Sequence, residues 1–211
     1  MKYSYFNNYP SGVGRYPSEG ITDPKPGKKG AYSWMKAPRY EETPYEVGPL
    51  SRQLVNQQKE VVALGDKAFS VLGRLYARAM ESAEVCRAMA TWVDQLVPGQ
   101  PSFAPYNIPK EGEGVGLHEG PRGSLGHWIV IKDYKIYNYQ AVVPTTWNGG
   151  PRDERGNLGP IEQALVGTPV KDPDNPFELV RIVRAFDPCL ACAIHMLEIK
   201  GVSKEVKRFR I

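Results

Sequence analysis

A long stretch with almost no proline, from Gly48 to Val97, most constrains how this chain can fold. Its periodicity predicts a long helical pair, Arg52–Leu64 and Lys67–Leu96, with a break at Gly65-Asp66. The second helix carries apolar residues at intervals of three and four, the spacing of one helical face: Leu72, Leu75, Tyr76, Ala79, Met80 and Ala83. We expect this stripe to be buried, and the lone Cys86 to be a small buried residue of the same helix.

Glycine, proline and tyrosine are frequent in the first 48 residues. Dipeptides such as Asp23-Pro24 and Pro26-Gly27 predict turns there, and Ala31–Lys36 is a candidate strand. A free-standing domain rarely opens in this way. We therefore expect residues 1–48 to form an extended, irregular segment that packs on a partner.

Short β-prone runs replace the helical periodicity in the C-terminal half of the chain. They predict strands at Trp128–Lys132 and Tyr134–Val143, joined as a hairpin over Asp133. Short helices are expected at Pro160–Leu165 and Phe177–Arg184. The predicted fold class is mixed and predominantly α, with the long helical pair and short β hairpins.

The composition excludes several function classes. Charged residues make up 24% of the chain and its formal net charge is +4, with the basic residues scattered. We therefore expect no nucleic-acid partner. No segment approaches the roughly 20 apolar residues of a membrane-spanning helix, so no direct membrane span is expected. Residues Met1–Pro10 lack the pattern of a signal peptide, and any export would depend on a signal in another chain.

The sharpest motif is the run Asp187–His195 near the C-terminus. The chain has three cysteines, too few and too odd a number for a disulfide framework. Two of them, Cys189 and Cys192, stand three positions apart, and His195 follows three positions later. Pro188 favours a turn at this point. A helix beginning near Cys189 would direct backbone N–H groups at the sulfur atoms and favour the thiolate form that binds metals.

The spacing of this motif leaves three interpretations open. Soft thiolates suit nickel, iron and zinc, but a zinc site normally needs four protein ligands and Cys189, Cys192 and His195 give three. A redox disulfide between the two cysteines is the second interpretation, and purely structural thiols are the third. The metal site is preferred.

The run Asp187–His195 resembles the C-terminal metal motif of [NiFe]-hydrogenase large subunits. Other segments resemble that family in the same order along the chain: Tyr32–Tyr40, Pro44–Leu50, Glu119–Trp128, Tyr139–Asn148, Pro151–Asp153 and Gly159–Leu165. Together they cover almost the whole chain and are most similar to the uptake type. The resemblance implies the C-terminal part of the large-subunit fold and a role in the reversible cleavage of H₂ to protons and electrons.

The resemblance also implies a nickel–iron centre whose iron carries CO and two cyanides. In this chain Cys189 would be the terminal nickel ligand and the base that takes a proton. Cys192 would bridge nickel and iron. A magnesium ion would be bound by His195, with the backbone carbonyl of Ala141 as a second ligand.

Side chains around the centre are implied by the same resemblance. Arg122 would hold its guanidinium above the open bridging position, and Asp187 would be the carboxylate that orients it. Thr145 would donate a hydrogen bond to a cyanide. Pro121 and Pro144 would line the pocket of the diatomic ligands.

The family's first CxxC motif is missing from this sequence, so we expect the chain to supply half of the cysteine ligands. The expected partners are an N-terminal large-subunit chain with the other CxxC, a small subunit with iron–sulfur clusters, and a maturation endopeptidase. Residues 49–98 would be the helical core, residues 99–195 the active-site part, and residues 196–211 an extension removed on maturation. The expected location is periplasmic or membrane-associated through a partner, alternatively cytoplasmic.

Two other function classes remain open. One is a catalytically inactive structural relative of hydrogenases, as in respiratory complex I, although such a relative has no reason to retain Cys189, Cys192 and His195 together. The other is a small zinc-binding interaction module. Stoichiometric zinc without nickel or iron would indicate this second class.

Overall fold

The computed structural model describes residues 2–9, 16–189, 196–200 and 203–207; residues 8, 9, 196–200 and 203–207 are described by their backbone alone. Within these ranges, no helix is both long enough and apolar enough to cross a membrane.

The helical region begins with two short helices, α1 at Pro49–Val55 and α2 at Lys59–Val62. The predicted first long helix is therefore wrong. It is broken at Gln57, whose φ of +55° lies in the left-handed region that L residues seldom adopt. A 3-10 turn at Gly65–Phe69 follows and leads to the next helix.

The long helix α3 spans Val71–Asp94 and confirms the second predicted helix, with a slightly later start. Ser70 caps it, because the side-chain oxygen of Ser70 accepts a hydrogen bond from the Gly73 N–H at 3.0 Å. Only one helix of the expected pair is thus long. A small core of Leu50, Val61, Ala68 and Ala77 joins α1, α2 and the 3-10 turn to α3.

The side of α3 that packs on the rest of the chain is not the predicted apolar stripe. Gly73, Arg74 and Ala77 are its buried residues, whereas Leu72 is 76% exposed and Leu75 is 47% exposed. Charged side chains of α3, such as Arg74 and Glu81, have partners within the chain, whereas most of the apolar stripe is exposed. Cys86, expected to be buried, is also exposed.

A three-stranded antiparallel sheet follows, with β3 at Gly112–Gly120, β4 at Gly123–Lys132 and β5 at Lys135–Val142, in that spatial order. The predicted hairpin at Asp133 is confirmed, because Asp133 and Tyr134 both have the positive φ of a tight two-residue turn. The glycine-rich β3 was not predicted. Among the described residues the fold is mixed, with more residues in helices than in strands.

Three short helices follow the sheet: α4 at Pro144–Asn148, α5 at Pro160–Leu165 and α6 at Phe177–Ala185. The predictions for α5 and α6 are confirmed. A last antiparallel pair, β6 at Met196–Lys200 and β7 at Ser203–Lys207, lies in the C-terminal extension.

The described part of the N-terminal segment is largely irregular, with a 3-10 turn at Pro17–Glu19 and one antiparallel pair, β1 at Phe6–Tyr9 and β2 at Ile21–Pro24. The candidate strand Ala31–Lys36 is wrong, since its backbone makes only an isolated bridge between Ser33 and Ser4. The segment packs on its own chain. For example, the Tyr32 hydroxyl donates to Glu162 Oε1 at 2.7 Å. That it also packs on a partner stays a prediction.

The loop before α5 is organised by one buried carboxylate. Asp153 is 1% exposed, and its oxygens accept hydrogen bonds from the N–H groups of Arg155 and Asn157 at 2.9 and 2.8 Å and from Asn157 Nδ2 at 2.6 Å. Burial raises the pKa of Asp153, but these hydrogen bonds outweigh burial and hold the pKa below its ordinary value.

We predict that Asp153→Ala lowers the free energy of unfolding by about 3 kcal/mol at pH 7, because buried donors lose their acceptor. The folded-state pKa is depressed, so the stabilisation is present above the unfolded pKa of about 3.9 and lost as pH falls through the folded pKa. Urea denaturation of the purified protein at several pH values measures both effects. The control Asp94→Ala, at an exposed helical position, should change stability by less than about 0.5 kcal/mol. Equal unfolding energies for the two variants would contradict the prediction.

Candidate metal centre

Arg122 lies in the tight turn between β3 and β4. Gly120 and Gly123 pair across the ends of the two strands, with Pro121 and Arg122 between them. Gly123 has a φ of +129°, and a Cβ there would lie 2.7 Å from the backbone nitrogen of Gly48. Glycine is therefore required at this position, and the turn is pressed against the segment that precedes α1.

The turn presents Arg122 to Asp187. Arg122 Nη2 donates to Asp187 Oδ1 at 3.2 Å, and both side chains are partly exposed. Arg122 Nε is buried, and within the part of the chain that the structure describes it has no hydrogen-bond partner. A buried N–H without an acceptor is unfavourable, so this donor is suited to a group supplied from elsewhere.

Asp187 is placed by the end of α6. Its N–H donates to the Arg184 carbonyl at 2.9 Å, and its φ of +51° turns the chain away from the helix. Two arginines of α3 hold this end. Arg78 Nη2 donates to the Ala185 carbonyl at 2.9 Å, and the Arg74 guanidinium lies 4.1 Å from the centre of the Phe186 ring.

Cys189 follows Asp187 by two residues and meets α4. The Cys189 N–H donates to Thr145 Oγ1 at 3.1 Å. Thr145 is buried, whereas Cys189 is an exposed free cysteine. The Thr145 hydroxyl accepts in this bond, so its own hydrogen remains available for another acceptor. The Thr145 hydroxyl thus contacts the backbone of Cys189 and keeps a donor available.

The other predicted site residues are placed with less detail. Pro121 precedes Arg122 in the turn, Pro144 is the first residue of α4, and Ala141 lies in β5 opposite His127. Their roles stay predictions. Cys192 and His195 lie outside the described residues, and among those described no group of three or more His, Cys, Asp or Glu could hold a metal ion.

The described residues fit one wall of a thiolate metal centre with anionic ligands. Cys189 offers a metal-binding sulfur. The Thr145 hydroxyl and the unpartnered Arg122 Nε are donors suited to acceptor atoms of ligands such as cyanide. Arg122 also brings a positive charge that Asp187 fixes in place. These groups come from the β3–β4 turn, α4 and the end of α6.

Sequence reasoning missed the residues that hold this wall together. The side chain of Asn148 in α4 binds the backbone of Val47 twice. Its Oδ1 accepts from the Val47 N–H and its Nδ2 donates to the Val47 carbonyl, both at 2.9 Å. Arg52 of α1 binds the turn that carries Arg122. No local motif marks either residue, because each acts on backbone atoms far away in the sequence.

Comparison with known proteins identifies the relatives of this fold and site. The family model described as nickel-dependent hydrogenase matches residues 1–195. The periplasmic [NiFeSe] hydrogenase large subunit of Desulfomicrobium baculatum is 44% identical, over 92% of this chain and 41% of that protein. The uptake hydrogenase large subunit of Bradyrhizobium diazoefficiens is 42% identical, over 89% of this chain and 38% of that protein.

Solved structures agree with the sequence relatives. The H₂-activated [NiFeSe]-hydrogenase of Dm. baculatum superposes with a TM-score of 0.82 at 45% identity, covering 91% of this chain and 43% of that chain. The reduced enzyme of D. vulgaris Hildenborough gives a TM-score of 0.82 at 41% identity, covering 91% and 44%. The chain thus spans less than half the length of the relatives it matches. With the family match over residues 1–195, these likenesses establish that the chain belongs to the nickel-dependent hydrogenases.

Proposed function

We propose that this chain is part of a [NiFe]-hydrogenase that catalyses the reversible heterolytic cleavage of H₂ into protons and electrons. The observation that carries the proposal is the Arg122–Asp187 ion pair beside the Cys189–Thr145 contact in a member of the nickel-dependent hydrogenases. The family membership does not favour the inactive structural relative or the zinc-binding module.

Four residues of this chain would hold metals. Cys189 and Cys192 would supply two of the four cysteine ligands of the Ni–Fe(CN)₂(CO) centre. His195 and the backbone carbonyl of Ala141 would hold a magnesium ion. When bound, the nickel–iron centre supplies the Lewis acidity that polarises H₂.

The protein groups around the centre then orient and move protons. The Cys189 thiolate accepts the proton released on cleavage. The Arg122 guanidinium, fixed by Asp187 at 3.2 Å, stabilises the negative charge that develops beside it. The Thr145 hydroxyl would donate to a cyanide nitrogen, and Pro121 and Pro144 would line the pocket of the diatomic ligands.

The remaining ligands would come from an N-terminal large-subunit chain that carries the other CxxC. This chain spans 43% of the Dm. baculatum structure. The exposed apolar side chains of α3 would give that partner a docking surface: Leu72, Leu75 and Val93.

The complex would also include a small subunit with iron–sulfur clusters that carry the electrons away. A maturation endopeptidase would remove residues 196–211, and the family match ends at residue 195, just before this extension. The relative from Dm. baculatum is named as periplasmic, which supports a periplasmic or membrane-associated location through a partner.

The proposal is tested by an infrared spectrum of the complex purified through a tag on this chain. Bands in the CO and CN stretching region are expected, together with nickel and with an excess of iron over nickel that comes from the iron–sulfur clusters. A folded, partner-bound and fully matured preparation without these bands would overturn the proposal.

We predict that Cys189→Ser abolishes H₂ uptake and strongly lowers nickel content, because a serine hydroxyl does not replace a soft thiolate at nickel. Metal analysis and an H₂-dependent dye reduction assay measure the two effects. Cys86→Ser is the matched control, since Cys86 is also an exposed free thiol and should leave nickel and activity unchanged. Uptake at the wild-type rate in Cys189→Ser would remove the ligand assignment.

We predict that Arg122→Lys lowers turnover by roughly 100-fold while nickel and the infrared bands are retained. Lysine keeps the charge but loses the planar fork of donors that faces Asp187. Turnover and metal content are measured on the same preparation. Arg184→Lys, at an exposed position of α6 close to the site, should have little effect. Unchanged turnover in Arg122→Lys would exclude a catalytic role for this residue.

We predict that Leu75→Asp combined with Val93→Asp lowers recovery of the N-terminal large-subunit partner by at least roughly tenfold, because a covered carboxylate without a counter-charge is unfavourable. Co-purification through a tag on this chain measures recovery. The control Lys135→Asp introduces the same side chain at the exposed start of β5. Equal recovery with the wild-type chain, the double variant and the control variant would mean that this side of α3 is not the docking surface.

A further inference from the structure

The guanidinium of Arg52 lies between α3 and the turn that carries Arg122. On one side it forms a bidentate ion pair with Glu81 of α3, in which Nε donates to Oε1 and Nη2 donates to Oε2, both at 2.6 Å. Both side chains are only 19% exposed. Such parallel hydrogen bonds fix the plane of the guanidinium as well as its position.

On the other side, Arg52 binds the end of β3 and the turn itself. Nη1 donates to the Gly120 carbonyl at 3.0 Å and to Glu119 Oε2 at 2.7 Å, and Nη2 donates to the Pro121 carbonyl at 3.3 Å. Arginine has five N–H donors. Each of the five donors has an acceptor here, so all the hydrogen bonds of the Arg52 guanidinium connect α3 to the end of β3 and the turn.

The two carbonyls that Arg52 binds belong to the two residues immediately before Arg122. A shift of the turn would move the Arg122 guanidinium away from Asp187. Asp187 is itself held from α3, through the bond of Arg78 to the Ala185 carbonyl. Helix α3 therefore holds both members of the Arg122–Asp187 pair, and Arg52 is the connection on the Arg122 side.

An ion pair that only stabilises the fold would not need this arrangement. A surface pair of carboxylate and ammonium contributes little and depends weakly on geometry. Here two carboxylates and two backbone carbonyls surround one planar cation. Lysine, with three donors on one nitrogen, has no geometry that reaches all these acceptors.

We propose that Arg52 is a positioning residue for the proposed hydrogenase reaction, anchored by Glu81 and acting through the Gly120 and Pro121 carbonyls on Arg122. This role rests on the proposed function of Arg122. The anchoring itself does not, because it can be measured without turnover.

The test uses Arg52→Lys and the milder Glu81→Gln in the complete complex. Hydrogen–deuterium exchange of the peptide that contains residues 119–124 is expected to become faster in both variants, with nickel content and CO and CN bands retained. Turnover at saturating H₂ should fall by roughly tenfold in Arg52→Lys, with less change in KM, since a small misplacement of a catalytic group is costly. Arg155→Lys, which alters an ion pair in a different loop, is the control and should change neither exchange nor turnover.

A double variant separates positioning from general stability. If Arg52 acts through Arg122, then Arg52→Lys lowers turnover no further when Arg122→Lys is already present. A loss that multiplies with that of Arg122→Lys, or exchange of residues 119–124 equal to wild type, would overturn the positioning role. Absence of H₂ turnover in the wild-type complex would refute the proposed function instead, and the exchange measurement would still decide whether Arg52 anchors the turn.

Discussion

The three residues Glu46–Gly48 form the contact on which the rest of the site depends. The Glu46 carboxylate accepts hydrogen bonds from Nε and Nη2 of the buried Arg74, at 2.8 and 2.7 Å. Asn148 holds Val47 by two hydrogen bonds, as a neighbouring strand would. Gly48 packs so closely on the turn after β3 that a Cβ would lie 3.1 Å from the Arg122 carbonyl. This short extended segment therefore fixes α3, α4 and the turn relative to one another.

The polarity of α3 follows from these contacts. Arg74 and Arg78 donate to a carboxylate and to backbone carbonyls inside the chain. Glu81 and Glu84 accept from arginine and glutamine side chains, and most of the apolar side chains of α3 are left at the surface. A helix that turns its charged side inward is unusual, because burying charge is favourable only when every donor and acceptor is paired. Here the pairing is nearly complete, although Arg78 Nε lacks a partner among the described residues. The same arrangement leaves hydrophobic area that a larger assembly would cover.

Local sequence patterns predicted much of the secondary structure. The apolar spacing of α6 and the proline at the start of α5 predicted both helices, and Asp133 marked the hairpin. The break at Gln57 was not predictable, because glutamine in a left-handed conformation leaves no compositional trace. Periodicity identified the faces of α3, but not which one finds partners. At the site, the family resemblance led to Arg122 and Asp187, which form an ion pair, and to Thr145, which accepts from the Cys189 N–H; their roles stay predictions. Arg52 escaped notice because two of its acceptors are backbone carbonyls, which any sequence provides, and the other two, Glu81 and Glu119, lie far from it along the chain.

The spacing of anchor points along α3 has an evolutionary consequence. Arg74, Arg78 and Glu81 fall within two helical turns, so the rise of about 1.5 Å per residue sets the separation of the segments they hold. Inserting or deleting a single residue between Arg74 and Glu81 would rotate one anchor by about 100° relative to the other. No change in the loops could restore that alignment. Descendants of this chain should therefore vary freely in loop length while keeping this interval of the helix constant.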